Sequence, residues 1–136
     1  MASERVIPVL VYDDVAAAHD FLVDAFGMQS GGVMRDSTGQ AVHGEVRAGE
    51  HAIWLHRTAT EMQLVSARTA PTASSGLVVH VPDIDAHFAR ARSAGARVTE
   101  MQDTPYGQRE YEAIDIEGHR WWFSMPTPVE GRPTVS

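Results

Sequence analysis

The sequence predicts an α+β protein: two tandem βαβββ modules whose sheets enclose a shared cleft, with the helices on the outer face. Three observations carry that expectation. Asp14 and Asp83, each set as a helix N-cap after an apolar run, lie 69 residues apart. The run Gly49-Glu50-His51-Ala52-Ile53-Trp54-Leu55 precedes Glu117-Gly118-His119-Arg120-Trp121-Trp122-Phe123 by 68 residues, so a hairpin repeats along with the cap. Each copy reads strand, helix, strand, strand, strand. Half a sheet with one helix leaves an apolar face bare, and two copies close on each other to cover it.

The elements follow in order. Val6–Tyr12 is apolar and β-branched enough for a strand buried on both faces. Asp14 caps a helix whose apolar positions are Val15, Ala18, Leu22, Ala25 and Phe26, and Gly27 stops it. Strands are expected around Val33–Arg35, Ala41–Ala48 and Ala52–His56, the last two joined at Gly49-Glu50. Residues 58–75 are small and polar with Pro71, which reads as a linker. In the second copy Leu77–Val81 is a strand, and Asp83 caps a helix marked by Ile84, Phe88 and Ala91 that closes at Gly95. Strands at Arg97–Met101, Arg109–Ile114 and Arg120–Met125 follow, separated by turns at Thr104–Gly107 and Glu117-Gly118. The chain thus reads as one domain, 1–136: module one at about 5–57, linker 58–75, module two at about 76–125 and a proline-containing tail 126–136.

Composition removes whole classes of chemistry. The chain of 136 residues has no cysteine, which excludes disulfides, thiolate metal sites and cysteine nucleophiles. All eleven basic residues are arginine, so Schiff-base and P-loop chemistry are out. A net charge of −7 argues against nucleic acid and anionic membranes as partners. No apolar run approaches the ~20 residues of a membrane span, and no signal peptide is legible at the N-terminus. The expectation is a cytoplasmic protein.

The run Ile7-Pro8…Asp14…Phe21…Ala25-Phe26-Gly27, His43-Gly-Glu-Val46 and Val81-Pro-Asp83-Ile-Asp85-Ala-His-Phe88 resembles the vicinal-oxygen-chelate superfamily of glyoxalases, bleomycin-resistance proteins and extradiol dioxygenases. The match is tightest at Asp103-Thr-Pro-Tyr-Gly-Gln-Arg109-Glu-Tyr111…Asp115-Ile-Glu117-Gly118-His119-Arg-Trp121, with Ile116 where the glyoxalase-like branch usually carries Pro. Enzymes of that superfamily hold a divalent metal with His, Glu or Gln from four strands. Counted from Asp14, the first hairpin, Asp83 and Gly118, those positions fall here on Ile7, Trp54, Gly76 and Trp122. None offers a donor, so no metal and no cofactor are expected.

Period-two alternation assigns the face that would line the cleft. It places there Ile7, Val9, Val11, His43, Glu45, Arg47, Ala52, Trp54, His56, Val78, His80, Arg109, Tyr111, Ala113, Trp122 and Ser124. Leu10, Val46, Ile53, Leu55, Val79, Ile114, Trp121 and Phe123 go to the helix side. The ligand-binding set is therefore Trp54, Trp122, Tyr111, Arg109, His43, Glu45, His56, His80 and Val9. Two indoles and a tyrosine with a few polar groups suit stacking against a planar aromatic small molecule. The resemblance to bleomycin-resistance proteins implies an antibiotic or related metabolite, sequestered without chemistry at sites between the subunits of a homodimer. The alternative is a metal-independent enzyme, with His43 or His80 as general base and Glu45 orienting His43.

Overall fold

The computed structural model describes residues 4–69 and 74–127. Module one runs β1 (Val9–Tyr12), α1 (Val15–Phe26), β2 (Gln29–Arg35), β3 (Ala41–Ala48) and β4 (His51–Arg57). Module two runs β5 (Gly76–His80), α2 (Ile84–Ser93), β6 (Arg97–Val98), β7 (Gln102–Asp103), β8 (Gln108–Ile114) and β9 (Arg120–Pro126). The first sheet is ordered β1-β4-β3-β2. The second is β5-β9-β8-β6, with β7 also pairing β8. In both, the strand before the helix pairs in parallel with the second strand of the later hairpin. The repeat read from the caps and hairpins is thus a repeat of topology. Much of the tail expected from 126 onward, and residues 70–73 of the linker, lie outside the described residues. No helix among the described residues is long and apolar enough to cross a membrane.

Both helices start where their aspartates put them. The Asp14 carboxylate accepts from Ala17 N at 3.0 Å and that of Asp83 from Ala86 N at 3.1 Å. Gly27 ends α1 at φ 68°, a left-handed conformation that glycine reaches without penalty. The last carbonyls of α1 find their donors on α2. Arg90 donates to Asp24 O (3.0 Å) and Val23 O (3.2 Å), and His87 Nε2 donates to Phe26 O (2.9 Å).

One core serves both modules. Val15, Ala18, Leu22 and Ala25 of α1 are buried with Val46, Ile53 and Leu55 of the first sheet. Phe26 crosses to module two, 4.8 Å from the Phe123 ring and 5.5 Å from Trp121. A buried polar lock sits beside it. Asp115 accepts from Tyr12 Oη (2.6 Å), Trp121 Nε1 (3.1 Å) and the backbone N–H groups of 117–119. Glu117 accepts from the backbone of Asp13 and Asp14 and from Ser66 Oγ. Burial and the neighbouring Asp115 carboxylate push the Tyr12 hydroxyl well above its usual range. The 58–69 segment is accordingly tied down by Ser66, with short 3₁₀ turns at Thr60–Met62 and Ala67–Thr69.

Three expectations need correction. β1 is a sheet edge with one open face, and Val9 on that face is half exposed, so it is not buried on both sides. The strand expected at Arg97–Met101 is reduced to β6 at Arg97–Val98, and a second short strand, β7, follows beyond it at Gln102–Asp103. The third bears on the site. β8 is shifted by one residue from the expected facing: Tyr111 and Ala113 lie opposite Phe123 and Trp121 and are buried with them. Ile114, opposite Arg120, turns to the other side. A period of two fits either facing equally well. The indole of Trp121 decides it, because the residue across from it must be small, and that residue is Ala113.

Candidate functional site

With β8 in its actual register, the face of each sheet away from the helices carries the same row. In module one the row runs Val9 (β1), Trp54 (β4), Glu45 (β3). In module two it runs Val78 (β5), Trp122 (β9), Glu112 (β8). A flanking arginine completes each. Arg47 Nη2 sits 2.6 Å from Glu45 Oε2, and Arg120 Nη1 3.3 Å from Glu112 Oε1. Two glycines make room for these side chains. A Cβ at Gly31 would lie 2.7 Å from Glu45 Cγ, and one at Gly76 would strike the Trp122 indole, which lies over it.

The faces are apolar and open. Trp54 is 46% exposed although β4 lies between β1 and β3, and Val78, on the edge strand β5, is 64% exposed. Above Trp54 lies a depression of about 650 Å³ lined by Val9, Gly31-Gly32, Met34, His43, Glu45 and His56 among others. Every lining residue comes from module one, so Trp122 of the same chain does not wall this space. That volume falls within the usual range for small-molecule sites.

Electrostatics fix the roles of the polar groups. Trp54 Nε1 donates to Glu45 Oε1 at 3.0 Å. That bond, then the Arg47 guanidinium, hold the Glu45 carboxyl below the ordinary carboxylate range. Both oxygens are engaged, and neither bonds His43, so Glu45 does not orient that imidazole. His43 and His56 face each other across β3 and β4 with ring centroids 4.7 Å apart. His56 Nδ1 donates to Arg57 O at 2.6 Å, which leaves Nε2 of the neutral ring with its lone pair free.

The structure thus gathers Val9, His43, Glu45, Trp54 and His56 on one face. It places Trp122 and His80 on the corresponding face of the second sheet. Arg109 and Tyr111, expected in the cleft, are on the helix side. Arg109 grips Asp103 through Nε (2.7 Å) and Nη2 (3.2 Å) and reaches Asp85 at 3.5 Å. Tyr111 is buried in the core, its hydroxyl 2.5 Å from His87 Nδ1. Two further histidines join the modules: His119 Nε2 donates to Val11 O at 2.8 Å, as His87 Nε2 does to Phe26 O. Placing Ile114 on the helix side puts Glu110 and Glu112 on the wrong face of β8. The Ala113–Trp121 size match was the available signal.

Of the four positions where the resemblance implies metal ligands, Trp54, Gly76 and Trp122 lie on the open faces and Ile7 precedes β1. A hydrocarbon chain, two indoles and a glycine have no lone pair to give. These residues do not fit a metal.

The chain matches the family model described as the Glyoxalase/Bleomycin resistance protein/Dioxygenase superfamily over residues 6–123. It is 35% identical over 124 residues to an uncharacterised protein of Mycobacterium bovis, covering 88% of this chain and 81% of that one. Its fold is similar to that of TioX from Micromonospora sp. ML1, with TM-score 0.73 and 32% identity over 90% of this chain and 98% of that one. It is also similar to the bleomycin-binding protein of Streptomyces verticillus in complex with copper(II)-bleomycin, with TM-score 0.64 and 24% identity over 96% and 100% of the two chains.

Proposed function

The chain belongs to the Glyoxalase/Bleomycin resistance protein/Dioxygenase superfamily, and on that premise we propose that it binds a planar aromatic small molecule, of antibiotic or related metabolite type, by stacking on Trp54 and Trp122. The observation that carries this reading is the duplicated row of Val, Trp and Glu on two open faces. An indole whose N–H is held by a carboxylate is fixed in plane and presents a flat wall. The fold is shared with a protein seen holding copper(II)-bleomycin, so this scaffold accommodates large ligands.

The two walls belong to one site only when a second copy supplies the other. The depression over Trp54 has no residue of module two around it. A homodimer in which module one of one protomer faces module two of its partner would cover Val9, Trp54 and Val78. It would also generate two equivalent clefts. Binding is favoured over turnover because the expected base lacks its orienting carboxylate: Glu45 is committed to Trp54 and Arg47.

A fluorescence titration with a panel of planar aromatic antibiotics tests the reading. Two of the three tryptophans would lie against the ligand, so strong quenching at a stoichiometry of one ligand per chain is expected, with the compound recovered unchanged. Absence of binding across the panel, or steady conversion of a bound compound, would count against it.

A further inference from the structure

The row next to Trp54 holds chemistry that stacking does not use. Met34 (β2), His43 (β3) and His56 (β4) stand opposite one another, and the two imidazoles are neighbours at the edge of the depression. Their rings are 4.7 Å apart between centroids and inclined by 63°. With metal–nitrogen bonds of about 2.0–2.1 Å, two imidazoles on adjacent positions of one ion have centroids about 4.5–5 Å apart. The His56 hydrogen bond to Arg57 O fixes the tautomer in which Nε2 is a lone-pair donor. Nothing else nearby completes a coordination sphere. Among the described residues no group of three His, Cys, Asp or Glu could hold an ion, and both oxygens of Glu45 are occupied.

Two nitrogens make a poor site for a free ion and a good one for an ion that arrives with its own donors. We infer that His43 and His56 are the docking point for a divalent transition metal carried by a planar aromatic chelator: the imidazole nitrogens take two positions, the chelator takes others, and its ring stacks on Trp54. This rests on the reading of that face as a ligand wall. Imidazole suits copper, nickel and zinc, and among divalent ions copper binds such donors most tightly. Coordination replaces water on the ion with Nε2 of His56 and a ring nitrogen of His43, and no electron transfer is required. The four metal positions implied by the resemblance play no part, since none of their residues can donate.

Calorimetry with 1,10-phenanthroline and with its 1:1 copper(II) complex tests the inference on the intact chain. The copper complex is expected to bind at least tenfold more tightly than phenanthroline alone, with a shift of the copper visible absorption band as imidazole enters. In His43→Gln and His56→Gln the ratio of the two affinities within each variant should fall towards one. His51→Ala, at the exposed first residue of β4, should keep the wild-type ratio, which separates the site from adventitious copper on surface histidines. Phenanthroline binding without any gain from copper would overturn the inference and leave the stacking reading standing. A gain that survives in His43→Gln combined with His56→Gln would overturn it as well. No binding of either probe would count against both.

Discussion

Three tryptophans separate structure from recognition at the scale of single side chains. Trp121 is fully buried, stacked 6.1 Å from Phe123 and bonded to Asp115. Trp121→Ala should cost about 3–5 kcal/mol of stability, the usual range for emptying a large aromatic site. Urea denaturation measures it. Trp54 sits almost half exposed on an open face, so Trp54→Ala leaves little cavity and should barely move the melting temperature. Its effect belongs to binding: a loss of about 1–3 kcal/mol for a planar ligand, the range for an aromatic anchor. Unchanged affinity in Trp54→Ala would remove the indole from the site. Gly76 offers a finer probe, because the methyl of Gly76→Ala must push the Trp122 ring aside. Its binding defect should follow that of Trp122→Ala in direction and be smaller.

Between elements, the α1–α2 contact is the place where protonation matters. His87 donates to the last carbonyl of α1 and accepts from Tyr111, which requires a neutral ring. Burial, followed by the nearby Arg90 charge, outweighs the Phe26 carbonyl and holds its pKa below the ordinary 6.5. The unfolded chain therefore takes up the proton first as pH falls. Stability from this residue is complete above about 6.5 and is lost below it, towards the folded-state value. Urea midpoints at pH 7.5 and 5.5 should show a fall that His87→Gln reduces; an equal fall in both proteins would assign the dependence elsewhere. The same contact shows what the sequence could and could not convey. Asp14, Asp83 and Gly27 act through bonds to residues three to five positions away, so caps, helices and the repeat were legible directly. The face of β8 was not, because alternation has two solutions and the choice lies with Trp121, on another strand. The role of His87 is equally illegible locally, because its partners, Phe26 and Tyr111, are 61 and 24 residues distant.

At the scale of the molecule, a buried polar lock joins the modules, and the proposed dimer can be tested by mixing variants. Glu117 alone satisfies the N–H groups of Asp13 and Asp14 and the hydroxyl of Ser66. Glu117→Ala would strand those donors and should cost on the order of 2–5 kcal/mol in urea unfolding. If clefts form between protomers, each needs Trp54 from one chain and Trp122 from the other. A dimer of Trp54→Ala has only damaged clefts, and so does a dimer of Trp122→Ala. In a mixed dimer one cleft carries both lesions, while the other combines the intact Trp54 of one chain with the intact Trp122 of its partner. Unfolding the two variants together and refolding them at equal concentration should give mixed dimers as half of the total. Wild-type binding capacity should then return to about a quarter, given random pairing through a two-fold interface. The two variants refolded separately and then combined without exchange provide the baseline. A cleft built within one chain predicts no recovery, because every chain in the mixture carries a lesion. Titration to saturation with any ligand that quenches the wild-type protein reads the outcome, and a capacity indistinguishable from the baseline would place both walls in a single protomer.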